Sequence, residues 1–153
     1  MGAIETRLIE LGLTIPTIVK PLAAYVPATT TGNLVYTAGQ LPMVDGSLPT
    51  TGKLGAEVSV ERGAELARIC ALNALAAVQG AIGSLDRVTR VVKVVGFVAS
   101  DPTFTGQPAV LNGASILLGE IFGDAGSHAR SAVGVGVLPL DAPVEIELIV
   151  EFA

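Results

Sequence analysis

The stretch HARSAVGVGVLPLDAPVEIELIVEF, residues 128–152, carries the strongest pattern in the chain. After Arg130, small residues alternate with valines as far as residue 137, so one face of the extended chain is bare and the other is branched. From Val144 to Phe152, apolar residues alternate with glutamates, as in a strand with one buried and one wet face. The pattern predicts two β-strands. The bare face leaves room for a ligand beside the guanidinium of Arg130, which indicates a pocket for a small anion.

Upstream, the sequence predicts two helices separated by a strand. Ser59 is a good N-cap for a long helix of small and apolar residues that ends at Gly83. Residues 88–98 are rich in valine and predict a buried strand, and residues 106–122 predict the second helix. Helices separated by strands in this order are typical of a sheet that is covered on one side.

The first third of the chain is less regular. Residues 3–11 predict a short amphipathic helix, and a proline-bounded linker follows it to residue 21. Strands are predicted near residues 23–28 and 33–39, and the turn-rich residues 41–57 predict a surface loop. With hairpins at both ends of the chain, the predicted fold is α+β, a mixed sheet covered on one face by two helices.

Composition predicts a single soluble domain that associates with copies of itself. The chain has 153 residues, of which 50% are hydrophobic and 15% charged, and its mean hydropathy of +0.64 is more apolar than a small monomer needs. We expect the bare strand face after Arg130 to meet another subunit. No uninterrupted apolar run approaches the roughly 20 residues of a membrane span, and the N-terminus does not resemble a signal peptide. We therefore expect a cytoplasmic protein without membrane contact.

Charge and residue counts exclude several kinds of chemistry. A net charge of −5 and scattered basic residues argue against nucleic-acid binding. The single cysteine, Cys70, lies in an apolar helix and is expected in the core. The single histidine, His128, is interpreted as a loop residue before a strand, and one histidine cannot make a multi-histidine metal site. No metal or cofactor is expected.

Two side chains remain as candidates for a functional site. The planar fork of Arg130 suits bidentate binding of a carboxylate, although the strand pattern is equally compatible with a surface charge on an edge strand. Glu145 belongs to the alternating glutamates of the last strand, and that row is either simply solvated or lines a cleft.

These same residues resemble a known family. The chain is similar to the RidA/YjgF family of reactive-intermediate imine deaminases over residues 23–152. The resemblance rests on Ala129-Arg130-Ser131, Val133, Gly136, Leu138-Pro139, Asp141, Val144-Glu145-Ile146-Glu147, Tyr25, Gly32-Asn33, Thr37-Ala38-Gly39-Gln40, the helix after Ser59 and the Lys93–Val98 strand. It divides the chain into an N-terminal helix and linker, residues 1–22, and a RidA/YjgF-like domain, residues 23–153, of a divergent branch.

The resemblance implies a chorismate-mutase-like fold and a homotrimer whose sheets meet in a central barrel, with active sites in clefts between subunits. It implies hydrolysis of 2-imino or enamino acids, such as 2-aminoacrylate, to 2-keto acids and ammonia, without a cofactor. By resemblance, Arg130 holds the substrate carboxylate with help from the backbone N–H of Ala132, and Glu145 positions the attacking water.

Three further residues are assigned by resemblance alone. Tyr25 matches a tyrosine that walls the pocket, Gly39 a glycine whose carbonyl receives the proton of the imine nitrogen, and Asn112 a pocket asparagine. Two positions depart from the family pattern, because Ala132 replaces a common cysteine and His128 stands where relatives usually have proline.

Two other functions remain open at this stage. One is a non-catalytic small-molecule binding or regulatory trimer, because a shared fold does not guarantee shared chemistry. The other is endoribonuclease activity, a label attached to this family, which the acidic charge and the lack of a histidine pair disfavour.

Overall fold

A computed structural model describes residues 1–18 and 24–153. The last residues of the predicted linker and the start of the strand predicted at residues 23–28 lie outside this part of the chain. In chain order the elements are α1 (Ala3–Glu10), β1 (Ala28–Thr31), β2 (Leu34–Thr37), α2 (Val60–Ile82), β3 (Val88–Ala99), α3 (Gln107–Phe122), β4 (Ala129–Val135) and β5 (Val144–Phe152).

Five strands form one mixed sheet in the order β1-β2-β5-β3-β4. The hairpin predicted near the N-terminus is confirmed, because β1 and β2 are antiparallel and Thr31 pairs with Leu34. The hairpin predicted at the C-terminus is wrong. The α3 crossover returns β4 parallel to β3 at the edge of the sheet, and β5 inserts between β2 and β3 instead of pairing with β4.

Helices α2 and α3 cover one face of the sheet, which confirms the predicted α+β architecture. Their ends follow local signals. The Ser59 hydroxyl accepts a hydrogen bond from the Arg62 N–H at 3.1 Å, and Gly83 ends α2 with a φ of 88°. Gly123 ends α3 with a φ of 61°. Alternate residues of β3 and β5 fill the core beneath the two helices.

Helix α2 is the central helix of this core. By length and composition it could cross a membrane, but 56% of its most apolar 18-residue stretch is buried inside the protein. Cys70 lies on its buried face, where the thiol donates to the Val144 carbonyl at 3.6 Å. The prediction that Cys70 is a core residue is confirmed.

Two of the small residues after Arg130 face the helical side of the sheet. Ala132 packs against the helix-covered core, and the Gly134 position is closed by the side chains of Gln107 and Ser100. The bare face of β4 therefore lies on the α3 side of the sheet, and its contact with another subunit stays a prediction. The branched residues lie on the uncovered face, where Val133 is 44% exposed.

Two other local expectations are corrected. Tyr25 is not in a strand, since β1 begins three residues later, and the ring is 58% exposed. The segment 41–57 is not wholly a surface loop. Leu54 is fully buried within it, and its backbone N–H donates to Ala99 at 2.8 Å while its carbonyl accepts from Asp101 at 2.9 Å. These bonds anchor the segment beyond the end of β3.

Helix α1 packs against the rest of the domain. Leu8 joins the main core, and the Ile4 N–H donates to the carboxylate of Asp86 at 2.7 Å. The Arg7 Nε donates to the Glu120 carbonyl in α3 at 2.8 Å. These contacts fix the N-terminal helix against α3 and the turn before β3.

Candidate functional site

Arg130 lies on the edge strand β4 beneath α3. Its Nη1 donates to the Asn112 Oδ1 at 2.8 Å and to the Ser115 hydroxyl at 3.2 Å. Asn112 and Ser115 are three residues apart in α3, so they occupy the same side of the helix. The structure thus brings together Arg130 and Asn112, as the resemblance predicts.

The rest of the Arg130 guanidinium is available to a ligand. A guanidinium has five N–H donors, and the two contacts above occupy both hydrogens of Nη1. Within residues 1–18 and 24–153, Arg130 makes no ion pair. The parallel N–H groups of Nε and Nη2 therefore form an unoccupied edge that matches the two oxygens of a carboxylate.

Ser115 also links Arg130 to the single histidine. The Ser115 hydroxyl lies 2.9 Å from His128 Nε2, and His128 Nδ1 lies 2.6 Å from the Gly126 carbonyl oxygen. His128 is a loop residue just before β4, as interpreted from the sequence, but it is half-buried and hydrogen-bonded at both ring nitrogens.

A second group of predicted site residues surrounds a bulge after β2. Tyr36 pairs with Ile149 and Gln40 bridges to Ile146, so three residues lie between these pairs on one side and two on the other. Gly39 lies in this bulge. A Cβ on Gly39 would overlap a carboxylate oxygen of Glu145, so only a glycine lets the backbone approach that carboxylate.

Glu145 is half-buried beside Gly39. Burial raises the pKa of its carboxyl above the usual value, and the negative charge of Glu147 on the same strand face raises that pKa further. A carboxylate with a raised pKa is a better proton acceptor near neutral pH. Glu145 therefore differs from a simply solvated glutamate, because its environment favours the protonated form of the carboxyl.

Tyr25 and Gly39 line one cleft, together with residues of the loop after β2. Asn73 in α2 holds that loop, since its Nδ2 donates to the carbonyls of Leu41 at 3.0 Å and Met43 at 3.1 Å. The resemblance assigns both Tyr25 and Gly39 to the pocket, and these assignments stay predictions.

The two groups lie on opposite faces of the sheet. Arg130 reaches the α3 side, whereas Glu145 alternates with core residues Val144 and Ile146 and so points away from the helices. They also differ in register, because β3 separates their strands and Glu145 pairs with Phe97, three residues beyond the partner of Arg130. A single chain does not bring Arg130 and Glu145 together.

The sequence reasoning missed Ser115, and it missed the contact between Ser115 and His128. Two spacings could have found them. Ser115 follows Asn112 by three residues in a helix, and His128 precedes Arg130 by two residues in an extended segment, so each pair shares a face. Within the described part of the chain, no three His, Cys, Asp or Glu side chains are grouped as a metal site.

Comparison with known proteins places this geometry in context. The family model described as "YjgF/chorismate mutase-like, putative endoribonuclease" matches residues 5–152. The match begins within α1, and the division of the chain at residue 22 stays a prediction. The curated protein TCP17 of Trypanosoma cruzi is 44% identical over 151 residues, which are 98% of this chain and 94% of TCP17.

Solved structures show the same fold. A protein of unknown function from Agrobacterium tumefaciens is 48% identical, with a TM-score of 0.91 over 98% of this chain and 92% of that one. A structure from Shewanella oneidensis, described as a putative endoribonuclease, is 35% identical, with a TM-score of 0.93 over 97% and 99%. The Escherichia coli protein TdcF, solved with bound serine, is 25% identical, with a TM-score of 0.64 over 89% and 94%.

Proposed function

We propose that this chain, which belongs to the YjgF/RidA family, hydrolyses reactive 2-imino and enamino acids such as 2-aminoacrylate to 2-keto acids and ammonia. In this proposal it acts in the cytoplasm as a homotrimer without a cofactor. Arg130 binds the substrate carboxylate, and Glu145 of a neighbouring subunit positions the water that attacks the C=N carbon.

The observation that carries the proposal is the state of the Arg130 guanidinium. Neutral oxygen atoms of Asn112 and Ser115 hold Nη1, and the Nε and Nη2 edge has no acidic partner among the described residues. An arginine that is fixed by neutral acceptors keeps its full charge for a ligand, and its planar edge prefers a carboxylate. In this proposal the exposed backbone edge of β4 at Ala132 supplies a further N–H.

Glu145 and Gly39 supply the groups that water addition needs. An enamino acid first tautomerises to the imino acid. Water then adds its oxygen to the C=N carbon, while Glu145 accepts one proton of that water and returns it to the nitrogen. The hydroxyl of the resulting carbinolamine gives its proton, through Glu145, to the nitrogen as the C–N bond breaks, and the products are the 2-keto acid and ammonia. The raised pKa of Glu145 favours both steps of this proton transfer. The Gly39 backbone borders the same carboxylate, where its carbonyl can accept a hydrogen bond from the imine N–H, and Tyr25 closes the cleft.

The placement of the two groups supports a site between subunits. Because Arg130 and Glu145 occupy opposite faces of one sheet, they can meet only when two chains associate. The uncovered sheet face carries half-exposed apolar side chains such as Val133, which favours such an association. TdcF was solved with serine, which is a small amino acid with a carboxylate, and this supports a ligand of the same size and charge here.

One alternative has its own support. Arg130 with Asn112 and Ser115 is complete within one chain, whereas Glu145 is not part of it. A protein that binds small carboxylates without converting them needs only the first group. Endoribonuclease activity is less well supported, because a chain with a net charge of −5 is poorly suited to bind RNA.

The test is an imine hydrolysis assay with matched arginine variants. 2-Aminoacrylate is generated enzymatically from serine, and the appearance of pyruvate is followed with and without the protein. The Arg130→Ala variant is compared with Arg90→Ala, which removes an exposed arginine of β3 that has no hydrogen bond or ion pair within the described chain. Loss of the charge-assisted contact with the substrate carboxylate predicts a fall in kcat/KM of about 10²-fold or more for Arg130→Ala.

Three outcomes separate the candidate functions. Acceleration by the wild type and Arg90→Ala that is lost in Arg130→Ala supports the deaminase. Binding of pyruvate without acceleration of any imine favours the carboxylate-binding protein. Acceleration that survives in Arg130→Ala refutes the role of Arg130.

A further inference from the structure

A continuous chain of hydrogen bonds connects the Gly126 carbonyl to the Arg130 guanidinium. It runs from the Gly126 oxygen to His128 Nδ1 at 2.6 Å, from His128 Nε2 to the Ser115 hydroxyl at 2.9 Å, and from Ser115 to Arg130 Nη1 at 3.2 Å. Its members come from the turn after α3, the loop before β4, α3 itself and β4.

With a neutral imidazole, the direction of every bond in this chain follows from its two ends. A carbonyl oxygen can only accept, so the Gly126 oxygen requires the proton of the neutral imidazole to be on His128 Nδ1. A guanidinium can only donate, so Ser115 accepts from Arg130. His128 Nε2 is then a bare acceptor, and the Ser115 hydroxyl donates its own proton to that nitrogen. In this arrangement all four groups have a hydrogen-bond partner.

We propose that His128 and Ser115 are positioning residues that hold Arg130 Nη1 and thereby turn the Nε and Nη2 edge toward the incoming carboxylate. This inference rests on the proposed function for its ligand. An arginine that is already ordered before the ligand arrives loses less side-chain freedom on binding, so the affinity for the carboxylate rises. Asn112 provides the second acceptor for Nη1, and Ser115 provides the one that His128 controls.

The far end of the chain is rigid enough to act in this way. Gly126 is buried in the turn after α3, where a Cβ would press against the backbone carbonyl of Leu118. Close packing of two backbones fixes the Gly126 oxygen. His128 is hydrogen-bonded to this oxygen through Nδ1, and this bond restricts the position from which Nε2 contacts the Ser115 hydroxyl.

Nuclear magnetic resonance tests the hydrogen-bond chain directly, because His128 is the only histidine. In a sample labelled with ¹⁵N in histidine, the two ring nitrogens give one pair of signals, and the protonated nitrogen is distinguished by its shift and by its couplings to the ring protons. At alkaline pH, where the imidazole is neutral, we expect the Nδ1–H tautomer in the free protein. A solvent-exposed imidazole favours the Nε2–H tautomer instead.

Binding measurements test whether the chain of hydrogen bonds matters for Arg130. The probe is 2-ketobutyrate, a product of the proposed reaction, titrated against the protein. Ser115→Ala is expected to weaken its binding about fivefold to tenfold, because one of two acceptors for Nη1 is lost. Ser127→Ala, an exposed neighbour of His128 outside the chain of hydrogen bonds, is the matched control and is expected to bind like the wild type.

A double-mutant cycle separates positioning from a general loss of structure. His128→Asn keeps a donor near the Gly126 carbonyl but removes the acceptor for Ser115. It is expected to weaken binding in the wild-type background and to add nothing in the Ser115→Ala background, because both changes break the same path to Arg130.

Each result either supports or overturns the inference. The Nδ1–H tautomer with a non-additive cycle supports it. A predominant Nε2–H tautomer, unchanged binding in Ser115→Ala, or full additivity of the two substitutions overturns it. If the wild type binds no carboxylate, the proposed function fails, and the tautomer alone then decides whether the path from Gly126 to Arg130 exists.

Discussion

Gly39→Ala is expected to slow imine hydrolysis by about 10- to 100-fold while leaving the fold intact. The new methyl group would overlap a carboxylate oxygen of Glu145, so that oxygen must retreat by about 1 Å, a displacement that can cost about 10²-fold in rate. Gly39 has no positive φ, so alanine is compatible with its backbone conformation. The affected atom is the end of a flexible side chain, which can rotate away.

The stability terms nearly cancel. Replacing glycine by alanine at a compatible position gains about 0.4–1 kcal/mol by restricting the unfolded chain. Moving the Glu145 side chain away from its preferred rotamer costs about 0.5–1.5 kcal/mol. The net change is therefore within about 1 kcal/mol, which corresponds to a Tm shift of no more than about 4 °C for a chain of this size.

The assay compares imine hydrolysis and thermal unfolding in the same preparations. We expect kcat/KM to fall by about 10- to 100-fold in Gly39→Ala, with little change in the affinity for 2-ketobutyrate, because Arg130 is untouched. Gly119→Ala is the control, since nothing lies within 4 Å of its Cβ position on the exposed side of α3. Wild-type turnover in Gly39→Ala would refute the role assigned to Glu145.

Three further substitutions test the packing and charge on which the site depends. Gly113→Ala places a methyl group against the backbone carbonyl of Ala64 in α2, which cannot move aside, so we expect a loss of about 1–3 kcal/mol in thermal unfolding; a stable variant would contradict the close helix contact. Thr37→Val removes the buried hydroxyl that accepts from the Leu148 N–H at 2.9 Å and should lower the free energy of unfolding in urea by about 1–3 kcal/mol. Because the folded-state pKa of Glu145 is raised, its ionisation opposes folding above the unfolded-state pKa of about 4.3. Glu145→Gln should therefore raise Tm at pH 7, the gain should disappear below about pH 4, and an equal gain at both pH values would contradict the burial of this carboxylate.

Local signals in the sequence predict the elements of this fold well. Ser59 and Gly83 bound α2 because a hydroxyl cap and a left-handed glycine act through neighbouring residues only. The position of β5 in the sheet, in contrast, is not determined by local signals. Its alternation predicts a strand but not its neighbours, and the choice between pairing with β4 and inserting beside β3 is made by the α3 crossover.

In the candidate site, too, neighbouring residues predict the strands, but contacts between residues distant in sequence determine the environment of each side chain. The period of two predicts that one face of β4 is bare. The same pattern arises whether that face packs against a second subunit or against α3, so the sequence alone cannot tell these two environments apart. The family resemblance assigns Arg130 and Asn112 to one pocket, but their contact is seen only in the structure, since nothing local joins residues 18 positions apart. The environment of Glu145 depends on the bulge at Gly39, which arises from the pairing of β2 with β5 and leaves no mark in either strand alone.

The most direct test of the account mixes two inactive variants, Arg130→Ala and Glu145→Gln. The two are coexpressed or refolded together in equal amounts, and imine hydrolysis by the mixture is compared with that of each variant alone. If one site takes Arg130 from one subunit and Glu145 from its neighbour, random assembly in a closed ring restores about a quarter of the wild-type sites. A mixture that is no more active than the separate variants would contradict a shared site between subunits.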